Sequence, residues 1–360
     1  MTTDTARYRA ALGAFLSASS AYRATSSIDD LRAKDYSRLD RTGHVYLDYT
    51  GSGLYAESQL RRHQGMLVDG VFGNPHSRNP TSLASTGMVE AARLSVREFF
   101  RASAEEYEVI FTANASGALK LVGESYPFAP GSRFLLTYDN HNSVNGIREF
   151  ARARAASVTY LSVGARELRM DPDTVRAELA RPLSSAANLF AYPAQSNFSG
   201  VQHPLEWIDE AHERGWDVIL DAAAFVPTNR LDLSVIKPDF VPLSFYKMFG
   251  YPTGVGALIA RRSALSKLVR PWFAGGTITI ASVQGEGWHH LAPGAAGFED
   301  GTADFLNLPA VTIGLEHLGR IGVDVVHERV RRSQVGFSRR WARSLTPTVR
   351  PWSASSDPRT

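Results

Sequence analysis

The stretch SFYKMFGYPTGVGALIA, residues 244–260, places one lysine among aromatic side chains and follows it with closely spaced glycine and proline residues. The apolar run that ends at Lys247 predicts a buried strand, and GVGALIA predicts a second one. The connection is too short for a helical crossover, so we expect these two strands to pair in antiparallel fashion through a tight turn. Lys247 should then lie at the carboxyl end of its strand, at the edge where open α/β sheets bind ligands.

Apolar, β-rich segments recur along the chain, at residues 109–113, 133–138, 157–163, 187–193, 217–223, 240–246 and 256–260. Most are continuous hydrophobic runs, which are typical of strands covered on both faces. Helical patterns lie between most of them, for example at residues 143–155, 171–181 and 204–215. We therefore predict an α/β fold with a mostly parallel seven-stranded sheet sandwiched by helices, in which residues 240–260 supply the one antiparallel pair.

Composition narrows the class of protein. A chain of 360 residues with 44% hydrophobic and 21% charged residues is ordinary for a soluble globular enzyme with one large domain and a smaller appendage. A net charge of +3 with scattered arginines does not favour nucleic-acid binding. No apolar run reaches the roughly 20 residues of a membrane span, and the N-terminus is polar, so we expect a cytoplasmic protein without a membrane partner.

The sequence contains no cysteine. This excludes disulfides, thiolate metal sites and a thiol nucleophile among these residues. We expect no metal site.

Lys247 suggests one kind of chemistry. A lysine amine can attack a carbonyl to form a Schiff base, although an isolated lysine at a sheet edge more often extends into solvent. Three other strand ends add polar groups. NASGALKL opens a helix, whose amino end favours a phosphate. Asp221 is a carboxylate that could pair with a pyridine nitrogen, and His141 could stack on a ring. Each alone is better explained by a structural role, but together they suit pyridoxal phosphate.

Several ordered blocks of sequence resemble a known family. They are YLDYTGSGLYAESQL, FGNPHS, VIFTANASGALKLVGE, DNHNSVNGIREFA, LFAYPAQSNFSG, ILDAAAFVPT, PDFVPLSFYKMFGYPTGVGALI, GGTITI and FEDGT. The chain resembles the fold-type I, class V pyridoxal phosphate enzymes, the aminotransferase class V and cysteine desulfurase group. It is most similar to the N-terminal domain of molybdenum cofactor sulfurases, across residues 46–318.

The resemblance implies roles for four residues around the cofactor ring. Lys247 would form the internal aldimine and shuttle the Cα proton. Asp221 would keep the pyridine nitrogen protonated, His141 would stack on the ring, and Asn197 would bond the ring hydroxyl oxygen. These roles define cofactor chemistry rather than the outcome of the reaction.

The resemblance also implies a phosphate site and an assembly. The phosphate would be held by Ala115, Ser116, Gly117, Ser244 and Tyr246; many desulfurases carry a histidine in place of Tyr246. Thr277 would reach the phosphate of a partner subunit, which implies a homodimer with shared active sites. FGNPHS and FEDGT face the active site in relatives, so Asn74, His76, Glu299 and Thr302 are candidate contacts to the substrate or the dimer partner. A structural role in a polar turn is an equal alternative for each.

The chain also departs from the family pattern. Cysteine desulfurases and molybdenum cofactor sulfurases pass sulfur through a cysteine persulfide, which these residues cannot form. An arginine of the small domain usually clamps the substrate carboxylate, and Arg331, Arg332, Arg339, Arg340 and Arg350 are candidates with no motif to choose among them. We predict an N-terminal segment at 1–45 that packs on the small domain, a large cofactor-binding domain at 46–275, and a short small domain at 276–360.

The leading hypothesis is a homodimeric enzyme that acts on a small amino acid or amino-acid conjugate through the Lys247 aldimine and a quinonoid. Without a persulfide, the expected outcomes are C–S β-elimination, decarboxylation or transamination. One alternative is a sulfurase or desulfurase with an external sulfur acceptor, and another is a pseudoenzyme. A nucleotide-binding protein would need a phosphate loop that NASGALK does not match.

Overall fold

The computed structural model describes residues 2–75, 77–285 and 287–344. The first half of the chain supplies helices α1 (Thr2–Ala18), α2 (Ser20–Arg23), α3 (Ser27–Asp35), α4 (Arg38–Thr42), α5 (Glu57–Asp69), α6 (Pro80–Phe100), α7 (Ala115–Ser125), α8 (Asn142–Asn145), α9 (Ile147–Ala153) and α10 (Pro172–Leu179). The second half supplies α11 (Trp207–His212), α12 (Phe245–Phe249), α13 (Arg262–Leu265), α14 (Leu308–Ile321) and α15 (Val323–Ser344), with 3-10 helices at Gly275–Thr277 and Gly294–Phe298.

The strands are β1 (Tyr107–Thr112), β2 (Arg133–Thr137), β3 (Ser157–Leu161), β4 (Leu189–Pro193), β5 (Asp217–Asp221), β6 (Phe240–Ser244), β7 (Gly256–Arg261), β8 (Ile278–Ala281) and β9 (His289–Leu291). The first seven form one sheet in the order β1-β7-β6-β5-β4-β2-β3, and β8 and β9 form a separate hairpin. The predicted seven-stranded, mostly parallel sheet is confirmed.

Strand β7 runs against both of its neighbours, because it pairs antiparallel with β6 and with β1. The prediction of a single antiparallel pair was therefore wrong. The β1–β7 pairing joins segments far apart in the chain, which a local pattern of apolar residues cannot reveal. The other six strands share one direction, so their carboxyl ends meet at one edge of the sheet.

Each face of the sheet is covered by helices, as continuous hydrophobic strands require. One face packs against residues such as Phe100 of α6, Trp207 of α11 and Leu315 of α14. The other packs against residues such as Leu119 of α7 and Ile147 of α9. This sandwich buries the strands and leaves the carboxyl edge open to hold polar groups.

The N-terminal helices contact the two C-terminal helices. Arg329 of α15 pairs with Asp29 of α3, and the Tyr36 hydroxyl lies 3.4 Å from His317 Nε2 of α14. The division at residues 45 and 275 stays a prediction. Among the described residues, no helix has both the length and the apolar character needed to cross a membrane.

Candidate active site

A cavity of about 300 Å³ opens at the carboxyl edge of the sheet. It is lined by residues that follow β1, β2, β4, β5 and β6: Asn114, Ala115, Ser116, Leu119, His141, Ser143, Pro193, Gln195, Asn197, Asp221, Ala223, Ala224, Ser244, Tyr246, Lys247, Thr253 and Gly254. The fold thus brings together most of the residues that the sequence singled out.

Lys247 lies on α12, a single helical turn that begins directly after β6. The expectation that Lys247 ends a strand was wrong, because β6 ends at Ser244 and the next five residues, FYKMF, form a helical turn. The lysine side chain is half-buried and lines the cavity, and its amine makes no hydrogen bond or ion pair within the described residues. A primary amine is therefore free to react at this edge.

Glycines around Lys247 allow backbones to approach closely. Gly250 ends α12 with φ 80°, and a Cβ there would overlap the backbone of Leu54 and Tyr55. At the start of β7, a Cβ on Gly256 would lie 2.6 Å from Asn114 Cα. The glycine-rich turn after Lys247 is therefore required because the chain packs against two other segments there.

Asp221 ends β5 and is 7% exposed. Its Oδ1 accepts one hydrogen bond, from Ala223 N at 3.1 Å, and its Oδ2 accepts none from the described residues. Burial raises the pKa of Asp221, although the Ala223 N–H, Lys247 and His141 oppose that shift. A carboxylate left so poorly paired at a cavity wall suits a cationic ring nitrogen, which would stabilise its charged form.

The amino end of α7 provides donors for an anion. Asn114 caps the helix by accepting from Gly117 N at 2.9 Å, and Ala115 N donates to Ser244 Oγ at 2.9 Å. The backbone N–H of Ser116 donates to no group in the described part of the chain, and its hydroxyl lies 2.5 Å from Ser143 Oγ. The free Ser116 N–H, at the positive end of the helix dipole, suits a phosphate.

His141 caps α8 and faces the same cavity. Ser143 N donates to His141 Nδ1 at 3.1 Å, so the neutral ring carries its proton on Nε2. This bond orients the ring plane at the end of β2. The ring is therefore placed by the backbone of its own turn rather than by a neighbouring charge.

The other predicted residues are spread more widely. Asn197 and Tyr246 line the same cavity as Lys247, whereas Gly117, Glu299 and Thr302 line a separate cavity of about 390 Å³. Thr277 is fully buried at the start of the β8–β9 hairpin, where its Oγ1 accepts from Ala274 N at 2.9 Å.

The candidate substrate contacts are engaged within the subunit. Glu299 accepts from Arg93 and from Phe111 N, and Asn74 Nδ2 lies 3.4 Å from Thr302 Oγ1. Of the candidate arginines, Arg331 and Arg332 both pair with Glu328. His76, Arg350 and the side chains of Arg339 and Arg340 lie outside the described residues.

Sequence reasoning missed several residues near the cavity. Gln195 lies two positions before Asn197 in the same block, and Ser143 two positions after His141, so proximity to a named residue was the available signal. Two residues before His141, Asp139 Oδ2 lies 2.8 Å from His203 Nε2, and both side chains are buried. That buried pair had no signal in the sequence, because its partners come together only in the fold.

The fold and the site together define a fold-type I pyridoxal phosphate enzyme. Residues 45–337 match the family described as Aminotransferase class-V, and the chain belongs to that family. Pyridoxal phosphate is the cofactor that this membership indicates. Three groups without a hydrogen-bond partner among the described residues fit it: the Lys247 amine, the Asp221 Oδ2 and the Ser116 N–H at the start of α7.

Curated relatives include the molybdenum cofactor sulfurases of Homo sapiens, 40% identical over 312 residues, and of Solanum lycopersicum, 39% identical over 327 residues. These alignments cover 82% and 81% of this chain but 34% and 39% of the relatives. The chain thus spans little more than a third of the length of the curated relatives it matches.

Solved structures share the fold. The apo cysteine desulfurase of Thermococcus onnurineus NA1 aligns with a TM-score of 0.76 at 24% identity, covering 86% of this chain and 76% of that one. The cysteine desulfurase CsdA of Escherichia coli aligns with a TM-score of 0.69 at 21% identity, covering 82% and 73%. A lysine-to-alanine variant of C-DES, with glycine covalently linked to its PLP cofactor, aligns with a TM-score of 0.66 at 19% identity, covering 82% and 77%.

Proposed function

We propose that this protein cleaves the carbon–sulfur bond of cysteine or a related amino acid, with the sulfur passing to an acceptor outside these residues. The observation that carries the proposal is the unpaired Lys247 amine in one cavity with the buried Asp221 carboxylate. The sulfurase names of the relatives at about 40% identity support sulfur chemistry over decarboxylation or transamination.

The residues present would hold the cofactor as follows. Lys247 would bind its aldehyde carbon, Asp221 would keep its ring nitrogen protonated, His141 would pack on the ring, and Asn197 would donate to the ring hydroxyl oxygen. The phosphate would be bound by the set Ala115, Ser116, Gly117, Ser244 and Tyr246. When bound, pyridoxal phosphate supplies an electron-withdrawing group that makes the Cα proton of an amino acid acidic.

Each of these side chains would have a separate role in the reaction. The Lys247 amine would take the Cα proton of the bound substrate and return it. Asp221 would stabilise positive charge on the ring nitrogen, and because its carboxylate is buried, that charge pair would be stronger than in solution. His141 and Asn197 hold the ring in one orientation.

Transfer of the sulfur to a thiol would need an acceptor outside these residues, because the 360 residues contain no cysteine. With an external thiol, cysteine yields alanine and the persulfide of that thiol. With water in its place, elimination yields sulfide, pyruvate and ammonium. The two outcomes differ in their products, so one assay separates them.

We also propose a homodimer that shares its active sites, with Thr277 as the residue that reaches the partner's phosphate. Because Thr277 is fully buried within the subunit, this contact requires the β8–β9 hairpin to shift when the dimer forms. Asn74, His76, Glu299 and Thr302 stay predicted contacts to the substrate or the partner. A cytoplasmic location, expected from the polar N-terminus, also stays a prediction.

The first experiment compares wild type with Lys247→Ala after reconstitution with pyridoxal phosphate. Wild type should show an absorbance band near the visible edge, which borohydride bleaches while fixing the cofactor to the Lys247 peptide in mass spectra. Lys247→Ala should lack the label. Lys120→Ala is the control, since Lys120 is exposed and borders the other cavity.

Product analysis with cysteine and a thiol acceptor then tests the reaction. Alanine and a persulfide, or pyruvate and sulfide, would support carbon–sulfur cleavage. Release of carbon dioxide, or of a keto acid that retains the sulfur, would refute it. A protein that takes up no cofactor would point to the pseudoenzyme.

A further inference from the structure

A second and larger cavity, of about 720 Å³, adjoins the cofactor cavity. The two share part of their walls, namely Gln195, Asn197, Ala223, Ala224 and Lys247. The two cavities are therefore neighbours, and Lys247 borders both. We call the larger one the outer cavity.

The outer cavity is built by segments far apart in the chain. Helix α3 and the residues after it form one wall, the 196–200 loop forms another, and α14 and α15 close it. Much of its lining is apolar, including Ile28, Leu31, Tyr36, Leu318, Ile321 and Val330. A volume of this size is typical of a site for a small organic ligand.

Apart from Lys247, which borders both cavities, the charged groups of this lining are already engaged. Arg32 donates to both oxygens of Asp40, at 2.7 and 2.8 Å. Arg329 pairs with Asp29 and lies 3.9 Å from the centre of the Tyr22 ring. Burial lowers the pKa of His317, so its ring is neutral near pH 7.

Taken together, the volume and the lining favour an uncharged, apolar ligand group larger than the thiol of cysteine. A thiol would leave most of the outer cavity filled with water against apolar side chains. An apolar group would displace that water, which is favourable.

We propose that the outer cavity receives a bulky apolar substituent on the sulfur of the substrate, so that the substrate is an S-alkyl or S-aryl cysteine. This rests on the proposed carbon–sulfur cleavage and specifies its substrate class. The Cβ–S bond breaks, and the sulfur leaves with the bonding electrons as a thiolate. With one water consumed, the products are the free thiol, pyruvate and ammonium.

This substrate class also accounts for the missing cysteine. A sulfur that already carries a carbon substituent leaves as a stable thiol and needs no protein thiol to accept it. The chain's lack of cysteine is then compatible with turnover.

The test compares S-benzyl-L-cysteine with S-methyl-L-cysteine on the reconstituted enzyme, by thiol and pyruvate release. We expect kcat/KM to be about 10- to 100-fold higher for the benzyl compound, since a few buried carbons discriminate by that much. Val330→Trp should narrow the outer cavity. Val330 is 46% exposed, so the larger ring can be accommodated without disturbing the core.

Val330→Trp should lower kcat/KM for the benzyl compound at least about 10-fold and leave the methyl compound within about threefold. The control is Val335→Trp, on the same helix and 39% exposed but not part of the cavity wall, which should change neither. Equal kcat/KM for the two compounds in wild type, or an equal loss for both in Val330→Trp, would overturn the proposal.

Equilibrium binding separates this proposal from the proposed function. Calorimetry of both compounds on the Lys247→Ala variant, which cannot turn them over, gives their Kd ratio. If no sulfur compound is cleaved, cysteine included, the proposed function fails. Even then, tighter binding of the benzyl compound that is lost in Val330→Trp would support an apolar side-chain site. Equal Kd values would refute the apolar site itself.

Discussion

The Asp221 carboxylate is buried, accepts one hydrogen bond from the described residues, from Ala223 N, and has a pKa that burial raises. A carboxyl whose pKa is higher in the folded state binds more protons there than in the unfolded chain. The free energy of unfolding therefore falls as pH rises from about 3.9, the ordinary carboxyl value, through the raised pKa. The cofactor-free fold is accordingly weakened by its own site residue at neutral pH.

Asp221→Asn should stabilise the cofactor-free protein at pH 7 to 8 and lose that advantage near pH 4, because the amide carries no charge to desolvate. Urea unfolding of wild type and variant across this range measures the effect. With cofactor, the same variant should lower kcat about 10²- to 10³-fold, as removal of one preorganised electrostatic group does.

Asp217, at the other end of β5, is the matched control. Its carboxylate accepts from Lys267 at 2.6 Å and from the Tyr126 hydroxyl at 2.8 Å. Asp217→Asn should therefore destabilise the protein at pH 7 without a comparable loss of kcat. If Asp221→Asn behaved like Asp217→Asn, the assignment of Asp221 to the ring nitrogen would be wrong.

Two variants of His141 test whether its ring stacks on the cofactor. His141→Phe should keep the Kd for pyridoxal phosphate within about twofold, whereas His141→Ala should raise it about 2- to 10-fold, the range expected for one aromatic contact. Fluorescence titration of the cofactor gives both values. An equal Kd for Phe and Ala would show that the ring face contributes nothing.

At the scale of elements, α12 depends on the glycine that ends it. Gly250→Ala should lower the free energy of unfolding by about 2 to 4 kcal/mol, because it combines a left-handed backbone with overlap against Leu54 and Tyr55. Gly254→Ala has the same left-handed strain, at φ 73°, but no atom within 4 Å of its Cβ, and should lose about 1 to 2 kcal/mol. Urea denaturation measures the free energy of unfolding of both variants, and the difference between their losses is the cost of the close approach to Leu54 and Tyr55. Equal losses would contradict that cost.

The cap of α7 offers a second comparison between elements. Asn114→Ala removes the acceptor of Gly117 N, and Asp171→Ala removes the cap of α10, away from the site. Both should lower the free energy of unfolding by about 1 kcal/mol. Only Asn114→Ala should also weaken the binding of pyridoxal phosphate. Titration of each variant with the cofactor, in a buffer of one fixed inorganic phosphate concentration, would measure this.

Much of the fold could be predicted from local patterns. Continuous apolar runs indicated all seven strands of the main sheet, because strands buried on both faces leave that signature. Local patterns failed at FYKMF, where apolar residues in a one-turn helix look like the continuation of β6. They also failed at β1 and β7, since pairing between distant segments leaves no local trace.

At the scale of the whole molecule, a shared site predicts complementation. Lys247→Ala and Thr277→Ala subunits should each be nearly inactive, and an equal mixture after subunit exchange should regain about a quarter of wild-type activity, because half the dimers are mixed and each has one intact site. Assay of carbon–sulfur cleavage before and after mixing measures this. No recovery in a mixture shown to contain mixed dimers would refute a shared site.

The candidate site was predicted unevenly. Lys247, Asp221, His141 and Asn197 follow separate strands and converge as the topology of a parallel sheet requires. Arg329 and the outer cavity could not be predicted, since they arise where the first and last helices pack together. The sequence indicated Glu299 as a polar loop residue, but it could not predict the hydrogen bond that Glu299 accepts from Arg93.

The contact between Gly53 and α12 also bears on how the protein is made. Gly53 N donates to Tyr246 O, which joins the early part of the chain to the turn that carries Lys247. Contacts of such long sequence separation form only after the intervening chain has been synthesised and folded. A nascent chain on the ribosome would therefore expose Lys247 long after Gly53 has emerged and before its pocket exists. Attachment of pyridoxal phosphate would mark completed maturation of each molecule.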